Sequence, residues 1–339
     1  MSRYIRQMRF PPLGEDGQRR LASARALVCG CGALGSVIAN TLVRAGVGAV
    51  RIVDRDFVEL SNLARQVLFD EADAAAGLPK AVAAAEKLRR INSSVEIEPV
   101  VADVNYANVE RFCDGVDVIL DGTDNFETRF LINDVAVKLR LPWIYGGCVG
   151  AEGQTMTIIP GETACLGCLM DTCPQPGSTP TCDTAGILGP IVGVIASIEA
   201  IEAIKILSGN RDSISRGLTI VDLWQNRIKQ VDVTHLRDEA DCAACKRGEY
   251  SWLAGREGGR TAVLCGRNAV QISHPGASIS LAELAKRLSG AGSVTLNQYL
   301  LRLQVPDYEI TVFADGRAII AGTEDVAAAR TVYAKYIGT

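Results

Sequence analysis

The sequence predicts an α/β protein: a doubly wound, Rossmann-like sheet with a structural zinc site, followed by a small carboxy-terminal α+β domain. Apolar runs alternate with helical segments through the first half of the chain, and Gly-Cys-Gly-Ala-Leu-Gly at 30–35 follows the first run. Two Cys-x-x-Cys pairs also flank a long segment, the spacing of a site where four thiolates enclose Zn²⁺ at roughly 2.3 Å. The predicted ligands are Cys165, Cys168, Cys242 and Cys245.

The first elements form a βαβ unit. An apolar run at 24–29, the glycine turn, a helical segment at 36–45 and a second apolar run at 49–54 follow one another. Parallel strands joined in this way require a right-handed crossover. The alternation continues through helices at 80–90, 107–113 and 127–139 and strands at 95–101, 116–121 and 143–146. This order predicts a doubly wound sheet.

The segments after the sheet include a long apolar helix. Residues 174–180 are rich in Pro, Gly, Ser and Thr and predict an exposed loop. Residues 185–207 are hydrophobic nearly all round, which is typical of a helix buried in the core. Two apolar runs at 218–222 and 228–233 predict paired strands that lead into the second cysteine pair.

The composition changes after about residue 248, which predicts two domains, at 1–248 and 249–339. The second part contains, in order, a strand at 262–272, a helix at 281–288, a strand at 299–305, a hairpin at 309–320 and a helix at 325–336. The Asp315-Gly316 turn between alternating runs is a strong hairpin signal. We therefore expect a small α+β domain at the carboxyl end.

Charge and composition exclude several classes of function. The net charge is −4 with both signs interspersed, so no broad basic face indicates a nucleic-acid partner. The amino terminus lacks an apolar signal core, and the longest apolar stretch, 187–198, is too short and too interrupted by glycine for a membrane span. Eleven cysteines in an acidic chain without an export signal favour reduced thiols and a metal over disulfides. We expect a cytoplasmic protein.

The glycine turn indicates a nucleotide site. Gly30, Gly32 and Gly35 match G-x-G-x-x-G between a strand and a helix, where backbone amides and the helix dipole receive a phosphate. The motif alone is weak evidence, because a tight turn needs no ligand. Asp54, about twenty residues further on, is the acid that would accept hydrogen bonds from ribose hydroxyls.

The polar residues that follow favour a triphosphate over a nicotinamide dinucleotide. They are Asp56, Asn62, Arg65, Lys80 and Asp124. Individually, the two cations would be interpreted as solvated surface charges. Grouped with an amide and acids they suit phosphate chemistry, which needs charge neutralised at the α-phosphate and on the leaving pyrophosphate. Hydride transfer does not require them.

The phosphate residues lie within a larger set of distinctive segments. The set comprises the two cysteine pairs and residues 3–7, 30–35, 53–66, 77–80, 123–125 and 180–186. The set resembles the ThiF/MoeB/HesA adenylyltransferases, bacterial relatives of ubiquitin-activating enzymes, over about residues 3–247. The tail, with segments at 265–268, 297–301, 313–317 and 333–337, resembles the carboxy-terminal domain of longer ThiF proteins of thiamine biosynthesis. One departure is Ala33, where many relatives have glycine.

The resemblance implies that the chain uses MgATP to adenylate the Gly-Gly carboxylate of a ubiquitin-like sulfur carrier of the ThiS type, before sulfur transfer from a donor such as a cysteine desulfurase. Asp54 would hold the ribose, Asp124 the Mg²⁺, and the phosphates would contact Asn62, Arg65 and Lys80. Arg6 would reach the ATP of a partner subunit, which implies a homodimer. Motif matches place further residues at the nucleotide: Asp56, Gln66, Thr123, Asn125 and Arg129.

Some alternatives stay open at this level. The same reaction on the molybdopterin-synthase carrier fits the first domain, and a NAD-dependent oxidoreductase would explain the glycine turn but not Arg65, Lys80 or the cysteine pairs. A non-catalytic carrier-binding module would be expected to lose some of the phosphate residues. Cys182 matches the cysteine that ThiF-like proteins link to the carrier, or it is a loop cysteine without that role. Cys173 is an extra thiol near the first pair, either a substitute zinc ligand or, as we expect, a bystander on the loop.

Overall fold

Five parallel strands and three antiparallel strands form one sheet in the first part of the chain. Its order is β3-β2-β1-β4-β5-β6-β7-β8, parallel from β3 to β5 and antiparallel beyond. The strands are β1 (Arg25–Cys29), β2 (Ala49–Asp54), β3 (Glu96–Val101), β4 (Val118–Asp121), β5 (Trp143–Val149), β6 (Glu152–Ile158), β7 (Leu218–Asp222) and β8 (Arg227–Val231). Because β1 has β2 on one side and β4 on the other, the strand order reverses there and opens a crevice at the carboxyl ends of the strands.

The structure, a computed structural model, describes residues 2–175, 178–257, 261–264, 268–272 and 279–338. The chain divides into two compact units, Met1–Glu257 and Gly258–Thr339. The first unit includes residues 249–257 because they pack on it. The amides of Trp252 and Leu253 donate to Asp134 Oδ2 at 3.0 and 3.2 Å, and the Trp252 ring lies 5.8 Å from that of Phe130.

Helices cover both faces of the first sheet. They are α1 (Ile5–Met8), α2 (Gly14–Ser23), α3 (Ala33–Ala45), α4 (Glu71–Ala76), α5 (Lys80–Ile91), α6 (Val109–Phe112), α7 (Phe126–Leu139), α8 (Leu166–Leu169), α9 (Cys182–Ala185), α10 (Gly189–Ser208) and α11 (Leu236–Glu239). Successive strand residues point to opposite faces, so Val28 packs in the core with α3 and α10 while Leu27 packs in the core with α7. The predicted doubly wound sheet is confirmed.

The helix predicted over 185–207 begins later than predicted, at Gly189 as α10, and Ala185 belongs to a separate short helix, α9. Gly186 separates them with a φ of 76°, a conformation that favours glycine. The connecting segment is extended and bonded to the end of β5: the Gly150 amide donates to the Gly186 carbonyl, and the Leu188 amide donates to the Gly150 carbonyl, both at 2.8 Å. No helix in the described part of the chain has both the length and the apolar character needed to span a membrane.

The second unit is the expected α+β arrangement. A six-stranded sheet of order β11-β12-β13-β14-β10-β9 packs against two helices. The elements are β9 (Thr261–Leu264), β10 (Ala269–Ile272), α12 (Leu281–Leu288), β11 (Ser293–Leu296), β12 (Leu300–Gln304), β13 (Glu309–Phe313), β14 (Ala318–Ala321) and α13 (Val326–Tyr336). The hairpin at Asp315-Gly316 is confirmed, since β13 pairs antiparallel with β14 and Gly316 has a φ of 80°.

The prediction of a single strand over 262–272 is wrong. Two antiparallel strands replace it, with Leu264 opposite Ala269. Asn268 has a φ of 44°, a left-handed conformation that asparagine tolerates in turns. Residues 265–267 lie outside the described part of the chain, as do Pro176 and Gly177 of the predicted loop.

Candidate nucleotide and metal sites

The glycine turn joins β1 to α3 and is shaped by close backbone contacts. Gly30 has a φ of 86°, and a Cβ on it would lie 2.6 Å from the Gly122 carbonyl oxygen. A Cβ on Gly35 would lie 1.9 Å from the Gly30 carbonyl oxygen, so this glycine allows α3 to pack closely on the turn. Gly32, at the N-cap of α3, has open space: among the described residues, a Cβ there would meet only Gln66 Nε2, at 3.9 Å. The first-turn amides of α3 are thus accessible to an anion beside Gly32.

Asp54 ends β2 next to the turn. Its carboxylate accepts hydrogen bonds from the Cys31 amide through Oδ2 and from the Asp56 amide through Oδ1, both at 2.6 Å. Burial raises the pKa of Asp54 above its usual range, while the nearby Lys80 ammonium lowers it. A carboxylate offers about four acceptor positions, so ribose hydroxyls can still donate to it.

Lys80 is buried at the start of α5, where the helix dipole disfavours a cation. Its Nζ lies 3.3 Å from Asp56 Oδ2, and its backbone amide donates to the Asp56 carbonyl at 2.9 Å. A lysine in this position needs anions nearby, which a phosphate would supply in addition to Asp56. Buried Asn62 accepts a hydrogen bond from the Glu59 amide through Oδ1 at 3.1 Å, which fixes the intervening turn.

Arg65 and Gln66 follow on the same segment. Arg65 is half-buried and donates from Nη1 to the Ser61 carbonyl at 2.9 Å. Gln66 is buried, and its Oε1 has no hydrogen-bond partner among the described residues. An unsatisfied buried acceptor beside the open space at Gly32 fits a site that a ligand completes.

The loop after β4 carries Thr123, Asp124 and Asn125. Thr123 donates to Asp121 Oδ1 from both its amide and its hydroxyl, at 2.8 and 2.6 Å, while Asp124 is exposed. Asn125 caps α7, accepting from the Thr128 amide at 2.9 Å. The loop is therefore fixed by its flanking residues, and the Asp124 carboxylate faces solvent.

Arg129 is buried and bonded to protein groups. It donates to Asp121 Oδ2 at 3.0 Å, to the Thr123 carbonyl at 2.8 Å and to the Gly146 carbonyl at 3.0 Å. Burial lowers the pKa of this guanidinium, but the neighbouring acidic groups, Asp121 first among them, together outweigh burial, and the pKa is raised. Arg129 thus ties the loop after β4 to β5.

The structure brings most of the predicted nucleotide residues to the carboxyl ends of β1, β2 and β4. Arg6 lies apart, exposed on α1, and makes no hydrogen bond or ion pair with another described residue. Arg55 is a charged residue at the site that the sequence analysis did not single out. Its Nη1 lies 3.1 Å from Asp103 Oδ1 and its Nε 3.9 Å from Asp56 Oδ1. The position of Arg55 directly after Asp54 was the one feature of the sequence that could have indicated its place at the site.

The four predicted zinc ligands meet in one cluster. Their sulfurs all lie within 4.8 Å of one another, with Cys165 to Cys168 at 3.8 Å, Cys165 to Cys242 at 3.5 Å and Cys168 to Cys245 at 3.3 Å. A zinc tetrahedron with bonds of about 2.3 Å has sulfurs about 3.8 Å apart. A Cβ on Gly167 would lie 3.0 Å from Cys242 Sγ, so the absence of a side chain at this glycine leaves room for the Cys242 sulfur.

The two remaining thiols of interest lie outside this cluster. Cys173 donates to the Pro174 carbonyl at 3.6 Å, and burial raises its pKa to about 11. Cys182 begins the single turn α9 and donates to the Cys148 carbonyl at 3.3 Å. The long apolar helix α10 begins only at Gly189, so Cys182 belongs to a separate single turn and not to the amino terminus of that helix.

Comparisons with known proteins identify the family. The model of the ThiF family matches residues 4–245. A sulfur carrier protein ThiS adenylyltransferase from Bacillus subtilis is 44% identical over 99% of each chain. A sulfur carrier protein adenylyltransferase from Thermus thermophilus is 36% identical, covering 72% of this chain and 90% of the relative.

Among solved structures, Escherichia coli MccB crystallised with succinimide superposes with a TM-score of 0.62 at 22% identity, covering 72% of this chain and 74% of that one. At this identity the likeness supports the fold alone. The family match over residues 4–245 includes the residues of both sites, and the chain belongs to the ThiF family.

Proposed function

We propose that this protein is an ATP-dependent adenylyltransferase that activates the carboxy-terminal Gly-Gly of a ubiquitin-like sulfur carrier of the ThiS type. The observation that carries this proposal is the buried Lys80, held 3.3 Å from Asp56 beside the glycine turn. A buried cation here serves a triphosphate and has no task in hydride transfer. The similarity of the B. subtilis ThiS adenylyltransferase over the entire chain, including the second unit, favours this carrier over the molybdopterin-synthase carrier.

In the proposed reaction, a carrier carboxylate oxygen attacks the α-phosphorus of ATP. The new carbon–oxygen–phosphorus linkage is the mixed anhydride of an acyl-adenylate, the bond from the α-phosphorus to the oxygen that bridges to the β-phosphate breaks, and pyrophosphate leaves with the electron pair. Lys80 and Arg65 would balance the charge that develops on the phosphates, and Asp54 would orient the ribose. Mg²⁺ bound by Asp124 would neutralise charge on the leaving pyrophosphate. Positioning and electrostatics account for the catalysis, because no protein nucleophile is needed.

The remaining residues have supporting roles in the proposal. Arg6 is exposed on α1 and would act on the nucleotide of a second subunit, so we propose a homodimer. Zinc at the four cysteines would be structural, because all four positions are filled by protein sulfurs. Cys182 would form the covalent link to the carrier during sulfur transfer from a donor such as a cysteine desulfurase. A cytoplasmic location stays a prediction.

ATP–pyrophosphate exchange with a panel of purified Gly-Gly-ended carriers tests the function. We expect exchange with a ThiS-type carrier and little with molybdopterin-type carriers. Asp124→Asn should abolish exchange in a folded protein, because the amide lacks the anionic oxygen that Mg²⁺ prefers. Asp117→Asn is the control: Asp117 precedes β4 whereas Asp124 follows it, and the Asp117 carboxylate accepts a hydrogen bond from the Arg25 amide. This variant should retain exchange. Absence of exchange with every carrier would refute the proposed function.

Mixing variants tests the arginine supplied by the partner subunit. Arg6→Ala and Asp124→Asn should each impair exchange when assayed alone. In a mixed dimer, one of the two sites regains both an intact Asp124 and an intact Arg6 from the other subunit. Mixing should therefore restore part of the activity. No recovery under conditions where mass spectrometry detects the mixed dimer would mean that Arg6 acts within its own subunit.

A further inference from the structure

The carboxyl ends of β2 and β3 carry an ion pair that the proposed reaction does not use. Arg55 directly follows Asp54, and its Nη1 lies 3.1 Å from Asp103 Oδ1, just beyond β3. The Ala102 amide donates to the Asp54 carbonyl at 3.2 Å, which places the residue before Asp103 against the end of β2. The pair therefore bridges the two strands next to the ribose acid.

The position of the pair corresponds to the expected place of the nucleobase. In a doubly wound fold the phosphates bind at the first glycine turn, after β1, and the ribose binds the acid at the end of β2. The sheet order continues from β1 through β2 to β3. A nucleotide that extends from Gly32 past Asp54 then has its base over the ends of β2 and β3, where Arg55 and Asp103 lie.

Asp103 holds the guanidinium in a fixed orientation. The Asp103 carbonyl accepts from Asn105 Nδ2 at 3.2 Å and from Asn108 Nδ2 at 2.8 Å, so the loop that bears the carboxylate is itself anchored. Arg55 also lies within reach of Asp56, with Nε at 3.9 Å from Oδ1. A guanidinium fixed by carboxylates presents a planar face, and planar cations stack well on aromatic rings.

We propose that the Arg55–Asp103 ion pair forms one wall of the nucleobase site and that the Arg55 guanidinium stacks on the base. Arg55 then determines how much the base adds to nucleotide affinity, beyond what the phosphates supply. The proposal rests on the proposed use of ATP. It predicts that Arg55 contributes to the affinity for the base and not to the affinity for the triphosphate.

Isothermal titration of the full chain with MgATP and, separately, with magnesium inorganic triphosphate tests this. Arg55→Ala should weaken ATP binding about tenfold and leave triphosphate binding unchanged. Arg55→Lys keeps the charge but loses the planar face, and should reproduce most of the loss. Asp103→Asn should give a smaller loss in the same direction, because the guanidinium is less well held.

The matched control is Arg51→Ala. Arg51 also bridges β2 and β3, with Nε 2.9 Å from Glu98 Oε2, but it lies away from the carboxyl ends of the strands. Its removal should change neither affinity. Equal weakening of ATP and triphosphate binding in Arg55→Ala, an equal effect of Arg51→Ala, or full ATP affinity in Arg55→Lys would overturn the proposal.

The two levels of failure are distinguishable. If the wild-type chain binds no ATP, the proposed function itself fails, and the inference fails with it. If the wild-type chain binds ATP and exchanges pyrophosphate while Arg55→Ala binds ATP equally well, only the inference about Arg55 is refuted. Should Arg55→Ala not fold, as judged by circular dichroism, Arg55→Lys decides the question by the same two titrations.

Discussion

The Cys182 thiol donates a hydrogen bond to the Cys148 carbonyl across 3.3 Å, which holds α9 against the end of β5. Cys182→Ser should keep that contact, because a hydroxyl can donate in the same way. Adenylation needs no protein nucleophile, so pyrophosphate exchange should stay within about twofold of wild type. If Cys182 links to the carrier, thiocarboxylate formation should be lost, and the carrier adduct seen by mass spectrometry should disappear.

The control for this experiment is Cys148→Ala, since the contact uses the Cys148 backbone and not its sulfur. This variant should form both the adduct and the thiocarboxylate. A normal thiocarboxylate yield in Cys182→Ser, measured with the native sulfur donor, would show that Cys182 has no covalent role.

Metal analysis should find one Zn²⁺ per chain, bound by the four-cysteine cluster. Chelation or Cys242→Ser should lower the Tm, because binding to the folded state alone stabilises it by mass action. Cys173→Ser should retain zinc, since its sulfur is not part of the cluster. A metal-free protein with unchanged Tm, or loss of exchange on chelation without loss of stability, would contradict a structural zinc site.

Truncation should distinguish two boundaries between the units. A chain that ends at residue 257 keeps the hydrogen bonds from the Trp252 and Leu253 amides to Asp134, and one that ends at 248 loses them. Removing these donors from a buried carboxylate should cost the shorter chain about 2–4 kcal/mol of unfolding free energy. Urea titration of both proteins measures the difference. Equal stability of the two would show that residues 249–257 add little to the first unit.

Glu199 should make the protein less stable as pH rises. It is fully buried in α10, and burial foremost, followed by Asp121, raises its pKa well above the usual value. The unfolded chain releases the proton above about pH 4.3, while the folded chain retains it to much higher pH. The folded state then binds more protons, so the free energy of unfolding falls with increasing pH across that interval.

Glu199→Gln removes this ionisation and keeps the shape. Urea titrations at pH 5 and pH 8 should show the variant gaining stability over wild type as pH rises. Glu202→Gln is the matched control three residues along α10, because Glu202 lies 2.5 Å from Lys205 Nζ and accepts from the Ser215 amide at 2.8 Å. It should be destabilising at both pH values. A stability difference between Glu199→Gln and wild type that is independent of pH would refute the prediction.

The sequence was most informative where local pattern and burial agree. The β1–α3–β2 unit has apolar strands and a glycine turn, and both the order and the parallel pairing were predictable. β6 was missed because Glu152–Ile158 is partly polar and follows β5 after a short turn, so no separate apolar run marked it. The break in the long apolar helix depends on Gly186, and the positive φ adopted there is set by contacts with β5.

The identity of the residues at the candidate sites was more predictable from the sequence than their burial and their contacts. The two Cys-x-x-Cys pairs correctly indicated the cluster, because each pair is a local pattern and four thiols complete a tetrahedral site. The burial of Lys80 and the many protein contacts of Arg129 were not evident, since they depend on elements far apart in sequence. Arg55 escaped notice because a lone arginine between two acids is typical of a solvated turn.

Gly30 and Gly122 also constrain how the protein can move. A Cβ on Gly122 would lie 2.2 Å from the Gly30 carbonyl oxygen, so the loops after β1 and β4 are in direct backbone contact. Neither loop can slide past the other without breaking this packing. Any closure around a ligand must therefore come from other segments, with these two loops acting as one rigid body. A site whose halves are already held in register loses little conformational freedom on binding.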